Sequence, residues 1–267
     1  MTGRGRRRGA TVAAALGTLG LLLAGFHPNV RTPPGDQTWR PAFSVARGLV
    51  ANELDVSSAG DRVARSPDWI VTSGSLFSDG GAGWTGPIDG RTPDAASRSS
   101  TGSAVFRVVS QPMFQSCRVD FDLRIDSRTT TPRTPARDYD GVHVFLRYRD
   151  AWNLYAVSVA RRDGLVVVKR KESTSTTPPA RDDSADYVTL ATATAPFPFG
   201  RWRHVSVTVT NVDTGVRITL AVDGRTLLDV VDEGLDGGRP LVGPGRIGLR
   251  GDNTEFHFRD LVVTPVT

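Results

Sequence analysis

The sequence predicts an all-β chain. Apolar and polar residues alternate with period two in short runs, turn residues separate the runs, and helical periodicity is nearly absent. One helical window, Val45–Val56, is the exception. The cleanest alternation is 117–126: Cys117, Val119, Phe121, Leu123 and Ile125 fall on one face, and Arg118, Asp120, Asp122, Arg124 and Asp126 on the other. Such a pattern buries one face and wets the other, as in a sandwich or barrel.

Taken in order, the chain opens on an arginine cluster, Arg4, Arg6, Arg7 and Arg8, followed by an uncharged apolar run from Ala10 to Phe26. That order is the signature of an export signal or a short membrane anchor, residues 1–26, with the arginines on the cytoplasmic side. No Cys follows, which argues against a lipoprotein anchor. The body is expected to be exported, extracellular or at the cell surface, released or tethered by residues 10–26. The formal charge of +5 belongs mainly to this segment: without its four arginines, 29 basic residues face 28 acidic ones. A body so nearly neutral lacks the electrostatic footprint of a nucleic-acid binder. Residues 27–44 read as a Pro-rich linker, and one domain is expected over 45–267.

Within that domain the expected strands are Trp69–Thr72, Ser75–Phe77, Ala104–Val109, Cys117–Asp126, Val142–Arg149, Asn153–Arg161, Leu165–Lys171, Val188–Ala191, Arg203–Thr210, Val216–Val222, Thr226–Val230, Arg246–Leu249 and Glu255–Val263. Asp163-Gly164 reads as a type I′ hairpin turn, and Asp223-Gly224 marks a second hairpin. Two Thr/Pro-rich stretches, 127–140 and 172–186, read as long loops of the functional or mobile kind. The single cysteine, Cys117, falls on the apolar parity and reads as a buried thiol.

The hairpin "GVHVFLRYRDAWNLYAV", then "GRWRHVSVTVT", "VRITLAVDGRTLL" and the closing "GRIGLRGDNTEFHFRDLVV" resemble the concanavalin A-like jelly rolls, in particular their laminin G-like and laminarinase-like branches. The resemblance runs from about Trp69 to Val263. It implies a sandwich of two antiparallel sheets with ligands held on a concave outer face. It also brings in sugar-binding modules, adhesion domains, glycoside hydrolases and bacterial hydrolases of modified disaccharides. By the same resemblance the arginines of "FLRY" and "GLRG" would face each other across that sheet.

Three chemistries are weighed on the residues themselves. Asp120, Asp122 and Asp126 share a strand face at a spacing where paired carboxylates can work. No Glu joins them, and the intervening Arg124 would keep them ionised, which disfavours a retaining glycosidase. His143, Arg147, Trp152, Asn153, Tyr155, Arg250 and Asp252 offer flat apolar faces and forked hydrogen-bonding groups suited to a saccharide; the competing reading is structural salt bridges and a hairpin cap. Asp79, Asp89, Asp138 and Asp140 leave a structural Ca2+ open, against a simpler reading as Gly/Asp turns. No cofactor is called for. The "RGD" at 250–252 matches a short integrin-recognition motif, given little weight because it ends an expected strand. The expected function is an exported carbohydrate-binding module whose partner is an extracellular or cell-wall glycan. The alternatives are a modified-disaccharide hydrolase using Glu255 or His143 beside the two arginines, and a non-catalytic adhesion or scaffold domain.

Overall fold

A computed structural model describes residues 37–43, 46–52, 64–86, 105–132, 134–173 and 187–266. The expected signal or anchor segment, most of the linker, Asp89 and residues 174–186 lie outside these described residues. Among the described residues fifteen strands are present: β1 Arg47–Asn52, β2 Trp69–Ser73, β3 Ser75–Asp79, β4 Ala82–Trp84, β5 Val105–Phe114, β6 Cys117–Arg128, β7 Gly141–Asp150, β8 Asn153–Arg161, β9 Leu165–Lys171, β10 Tyr187–Thr194, β11 Arg203–Val212, β12 Gly215–Val222, β13 Arg225–Asp232, β14 Gly245–Asp252 and β15 Thr254–Pro265. Among the described residues no helix is long and apolar enough to cross a membrane.

The strands form two antiparallel sheets. One has eight strands in the order β1-β3-β4-β15-β6-β11-β12-β13, and the other seven in the order β10-β9-β8-β7-β14-β5-β2. The chain passes between sheets at β1 to β2, β2 to β3, β4 to β5, β5 to β6, β6 to β7, β10 to β11, β13 to β14 and β14 to β15. The fold is the expected jelly-roll sandwich. Its core lies between the inner faces, where Val119, Phe121, Leu123, Val205, Val207 and Leu220 of the larger sheet meet Val144, Leu146, Val157, Val166 and Leu249 of the smaller. Each such large apolar side chain contributes roughly 1.5–3 kcal/mol on burial.

Three expectations change. The window expected as helix contains β1 instead, paired antiparallel with β3 through Leu49 and Ala51; sheet edge pairing overrides the local periodicity. Within 27–44, Trp39 exchanges two backbone hydrogen bonds with Val263, both 2.9 Å. Its ring lies edge-on to Trp69 at 5.0 Å, so this stretch packs on the sandwich. The Asp163-Gly164 turn has positive φ only at Gly164, +75°, whereas Asp223 and Gly224 are both positive, 50° and 76°. The second hairpin therefore fits type I′, and the first is a three-residue loop ending on a left-handed glycine.

Cys117 is buried, and burial pushes its thiol up to about 12, partly offset by the Arg147 charge. It acts as a small core hydrophobe.

Candidate functional site

The outer face of the seven-stranded sheet is built from three cross-strand rows. The central row runs Ile70, Val109, Gly248, Phe145, Ala156, Lys169 and Thr189 across β2, β5, β14, β7, β8, β9 and β10. It is apolar up to Lys169, and Val109, Phe145, Tyr148, Leu154 and Ala156 form a small hydrophobic cluster of their own, separate from the main core. On one side of this floor Arg107, Arg250, His143 and Ser158 lie abreast. On the other side Arg246 pairs with Tyr148, and Leu154 with Lys171 and then Tyr187.

These rows exist because of a bulge in β7. Arg147 adopts a left-handed conformation, φ 49°, and the pairing of β7 with β8 and with β14 slips there. Up to Leu146 the alternation is regular, with Val142, Val144 and Leu146 inward and His143 and Phe145 outward. The extra residue turns Arg147 inward and Tyr148 outward, where its ring stacks on Phe145 at 5.7 Å. Bulges re-aim side chains in this way.

A depression of about 120 Å3 opens on this face, lined by Tyr139, His143, Phe145, Ser158, Lys169 and Tyr187, with Arg250 and Asp252 at one end. That is smaller than the roughly 300–1,000 Å3 that enclose a drug-sized ligand, so it takes part of a ligand, such as the edge of one ring. Tyr139, 42% exposed, forms a wall, and Phe145, 2% exposed, lies beneath. His143 Nδ1 and Ser158 Oγ are 2.8 Å apart. His143 Nε2 approaches Asp252 Oδ2 at 3.3 Å without the alignment of a hydrogen bond. Arg250 Nε donates to both Asp252 oxygens, at 2.9 and 2.8 Å. Burial lowers the His143 pKa, opposed by Asp252. Burial would raise the Asp252 carboxyl, but Arg250 and His143 outweigh it and hold it well below the usual carboxylate range. The result is a neutral imidazole beside a fixed ion pair. Hydroxyl, imidazole and carboxylate stand in series, yet Ser158 sits mid-strand between His143 and Val167, its backbone committed to the two ladders rather than to a reacting oxyanion.

The sequence-expected residues divide three ways. His143, Arg250 and Asp252 come together on this face. Trp152 and Asn153 sit at the β7–β8 turn, where the Trp152 N–H and Asn153 Nδ2 both donate to Asp150, and Asn153 Oδ1 accepts from the Ser173 N–H. Arg147 and Tyr155 are corrected: both are fully buried between the sheets. The β7 bulge carries Arg147 inward, where Nη1 donates to Asn211 Oδ1 at 2.6 Å and to the Leu241 carbonyl at 2.7 Å. Tyr155 has the inward parity of β8; its hydroxyl donates to Asp232 at 2.6 Å and accepts from the Leu241 N–H at 3.0 Å. Arg170 completes this interior network, donating to Asp232 at 2.5 Å. The network ties the 233–244 segment to the sandwich. The arginines of "FLRY" and "GLRG" therefore lie on opposite faces of one sheet.

Tyr139, Tyr148, Ser158, Lys169 and Tyr187 were not singled out from sequence. For Lys169 a signal was present, because Val166 and Val168 alternate with Val167 and Lys169; the buried Arg170 on the opposite parity masks it.

The other carboxylate constellation lies on the outer face of the eight-stranded sheet. Asp120 pairs with Arg118 at 2.7 Å, Asp126 with Arg124 at 2.7 Å, and Asp122 with Arg259 at 3.3 Å. Burial would raise Asp126, but His257 and Arg124 lower it. Asp126 is held ionised, contrary to what a general acid requires. Glu255 is raised by burial and accepts from Trp84 Nε1 at 2.8 Å, on this sheet and not beside Arg250. Among the described residues no group of three or more His, Cys, Asp and Glu is placed to hold a metal. Asp140 instead accepts from the Arg137 N–H, Asn253 and Arg162. The "RGD" lies inside β14, paired on both sides, rather than at a loop tip.

No family model matches the chain, and no curated protein matches it. Solved structures do. The carbohydrate-binding module CBM66 from Bacillus subtilis is 16% identical, with 73% of this chain and 94% of that one covered, at a TM-score of 0.48. A Bacillus subtilis protein of unknown function with a galectin-like fold is 12% identical, with 85% and 96% covered, at 0.48. The Ca2+/Man3GlcNAc-bound exoplasmic/lumenal domain of VIP36 is 11% identical, with 74% and 84% covered, at 0.48. Likenesses this distant carry no argument about what this chain binds, and the assignment of a jelly-roll sandwich rests on its own strand order.

Proposed function

We propose that this chain is an exported carbohydrate-binding β-sandwich that recognises an extracellular or cell-wall glycan on the outer face of its seven-stranded sheet. One observation carries the reading: an apolar floor of Phe145, Tyr148, Val109 and Ala156, walled by Tyr139 and Tyr187 and bordered by Arg250, Asp252 and Ser158. A pyranose has a C–H face and a rim of hydroxyls, and this surface matches both, with aromatic area for the first and charged or hydroxyl partners for the second. Export is supported by the Arg4–Phe26 pattern.

The test is a glycan array probed with the full 267-residue chain and with Tyr139→Ala. The chain should bind a subset of saccharides. The variant, altered at a side chain 42% exposed, should lose most of that signal while melting at the same temperature. Binding to no saccharide, or binding untouched by changes on this face, would overturn the reading.

A further inference from the structure

The two outer faces of the sandwich treat their charges differently. On the eight-stranded sheet six arginines are neutralised by carboxylates, Arg118 by Asp120, Arg124 by Asp126, Arg259 by Asp122, Arg203 by Asp223, Arg217 by Asp229 and Arg47 by Asp79, while Arg128 lies over the Phe199 ring. On the seven-stranded sheet Arg107 donates to the Thr72 hydroxyl at 2.7 Å, and Arg246 to the backbone carbonyls of Ser110 and Gln111. Lys169 lies over the Tyr187 ring at 5.7 Å, and Lys171 over the same ring at 5.1 Å. No described carboxylate pairs with Arg107, Arg246 or Lys169, and Asp252 is taken by Arg250. Lys169 and Lys171 are the only lysines of the chain.

The arrangement is costly for the isolated protein. Arg107 lies directly opposite Arg250, a like-charge juxtaposition that weakens a sheet and that Asp252 offsets on the Arg250 side. Burial also lowers the Lys169 pKa, with Arg161 adding to the effect, so its charge is already partly desolvated. The cations stand along both edges and at one end of the apolar floor. From β5 to β9 they span four strand spacings, about 19 Å, wider than one sugar ring.

Resting on the glycan-binding reading above, we propose that the ligand is an acidic polysaccharide: a chain carrying carboxylate or sulfate groups that crosses the strands of this sheet, its rings on the Phe145–Ala156 floor and its anions on Arg107, Arg246 and Lys169. Guanidinium groups present paired donors to such oxyanions, and the lysine adds a point charge.

The experiment is affinity electrophoresis of the full chain in gels containing polygalacturonate, dextran sulfate, neutral dextran or a neutral β-glucan, at two salt concentrations, with duplex DNA as a competing polyanion. Retardation is expected in at least one acidic gel and about tenfold less in the neutral gels, the scale of one charge-assisted hydrogen bond. It should weaken with salt, and the two acidic gels separate carboxylate from sulfate. Arg107→Gln and Lys169→Gln should each reduce retardation several-fold, and Arg118→Gln, on the opposite sheet, should not. Equal retardation in neutral gels would overturn the acidic-ligand proposal and leave the glycan reading standing. Competition by DNA as effective as by the acidic saccharide would overturn it as mere polyanion binding. Retardation in no gel would overturn both.

Discussion

Arg147 and Arg250 sit in similar alternating strands, yet one is sealed inside the sandwich and the other lies on its surface. Arg147 has two hydrogen bonds from one nitrogen, while its buried Nε and Nη2 have no partner. A buried cation so incompletely satisfied adds little stability, and hydrophobic replacements of buried charges are often neutral or stabilising. Arg147→Met should therefore leave unfolding free energy unchanged or raise it by about 1–4 kcal/mol and leave saccharide binding intact. Arg170 is the opposite case. Its removal would leave Asp232, itself fully buried, with a lost partner, and Arg170→Met should cost about 3–5 kcal/mol in urea denaturation. His143 gives a pH dependence. Its pKa is lowered from 6.5 on folding, so below that value the unfolded chain takes up a proton that the folded chain resists, and stability falls as the pH drops. Asp252, held low, contributes stability that is present above 3.8 and lost as the pH falls beneath it. Urea melts should show a decline beginning near pH 6.5 and steepening below 4. His143→Gln should flatten the first part; an unchanged slope would remove His143 as its origin.

At the scale of elements, period-two alternation was enough to read most strands. Cys117–Ile125 is buried on the expected parity residue by residue, because one sheet face must meet the core and the other water. The Asp223-Gly224 hairpin was legible from its turn chemistry. What alternation could not reveal was the break in itself. The β7 bulge is a single left-handed residue, and its consequence, reversal of Arg147 and Tyr148, follows from pairing with β14, a strand about a hundred residues distant. Arg147 is therefore inside the sandwich because of the bulge, and Tyr155 because of its own parity on β8, while His143, Arg250 and Asp252 line the face. β1 and β4 were hidden for a related reason: each is held at its place in the eight-stranded sheet by pairing, not by a pattern of its own. The bulge is also a point of close packing. A Cβ at Gly245 would collide with the Arg147 backbone, so Gly245→Ala should destabilise the chain by about 1–3 kcal/mol through overpacking. It should also weaken binding by shifting Tyr148 and Arg246. A thermal melt and the affinity gel together would check this.

For the whole molecule, the sandwich has two outer faces with different charge economies, one with six of its arginines paired to carboxylates and one left with cations along an apolar floor. Bulk composition hides this, because the near balance of 29 basic and 28 acidic residues averages over both faces. Raising salt from about 0.05 to 0.5 M should weaken polysaccharide binding strongly and fold stability little, since most ion pairs on the eight-stranded face are partly exposed and contribute roughly 0–1 kcal/mol each. The placement of the ligand is checked most directly by amine footprinting. Lys169 and Lys171 are the only lysines, and both are on the proposed face, so acetylation followed by mass spectrometry reports on it with only the N-terminus as a further reactive amine. Lys169, partly exposed, should be modified in the free chain and protected several-fold by a saturating polysaccharide that retards the chain in gels. Retardation with no change in the Lys169 modification rate would place the ligand elsewhere and contradict the account.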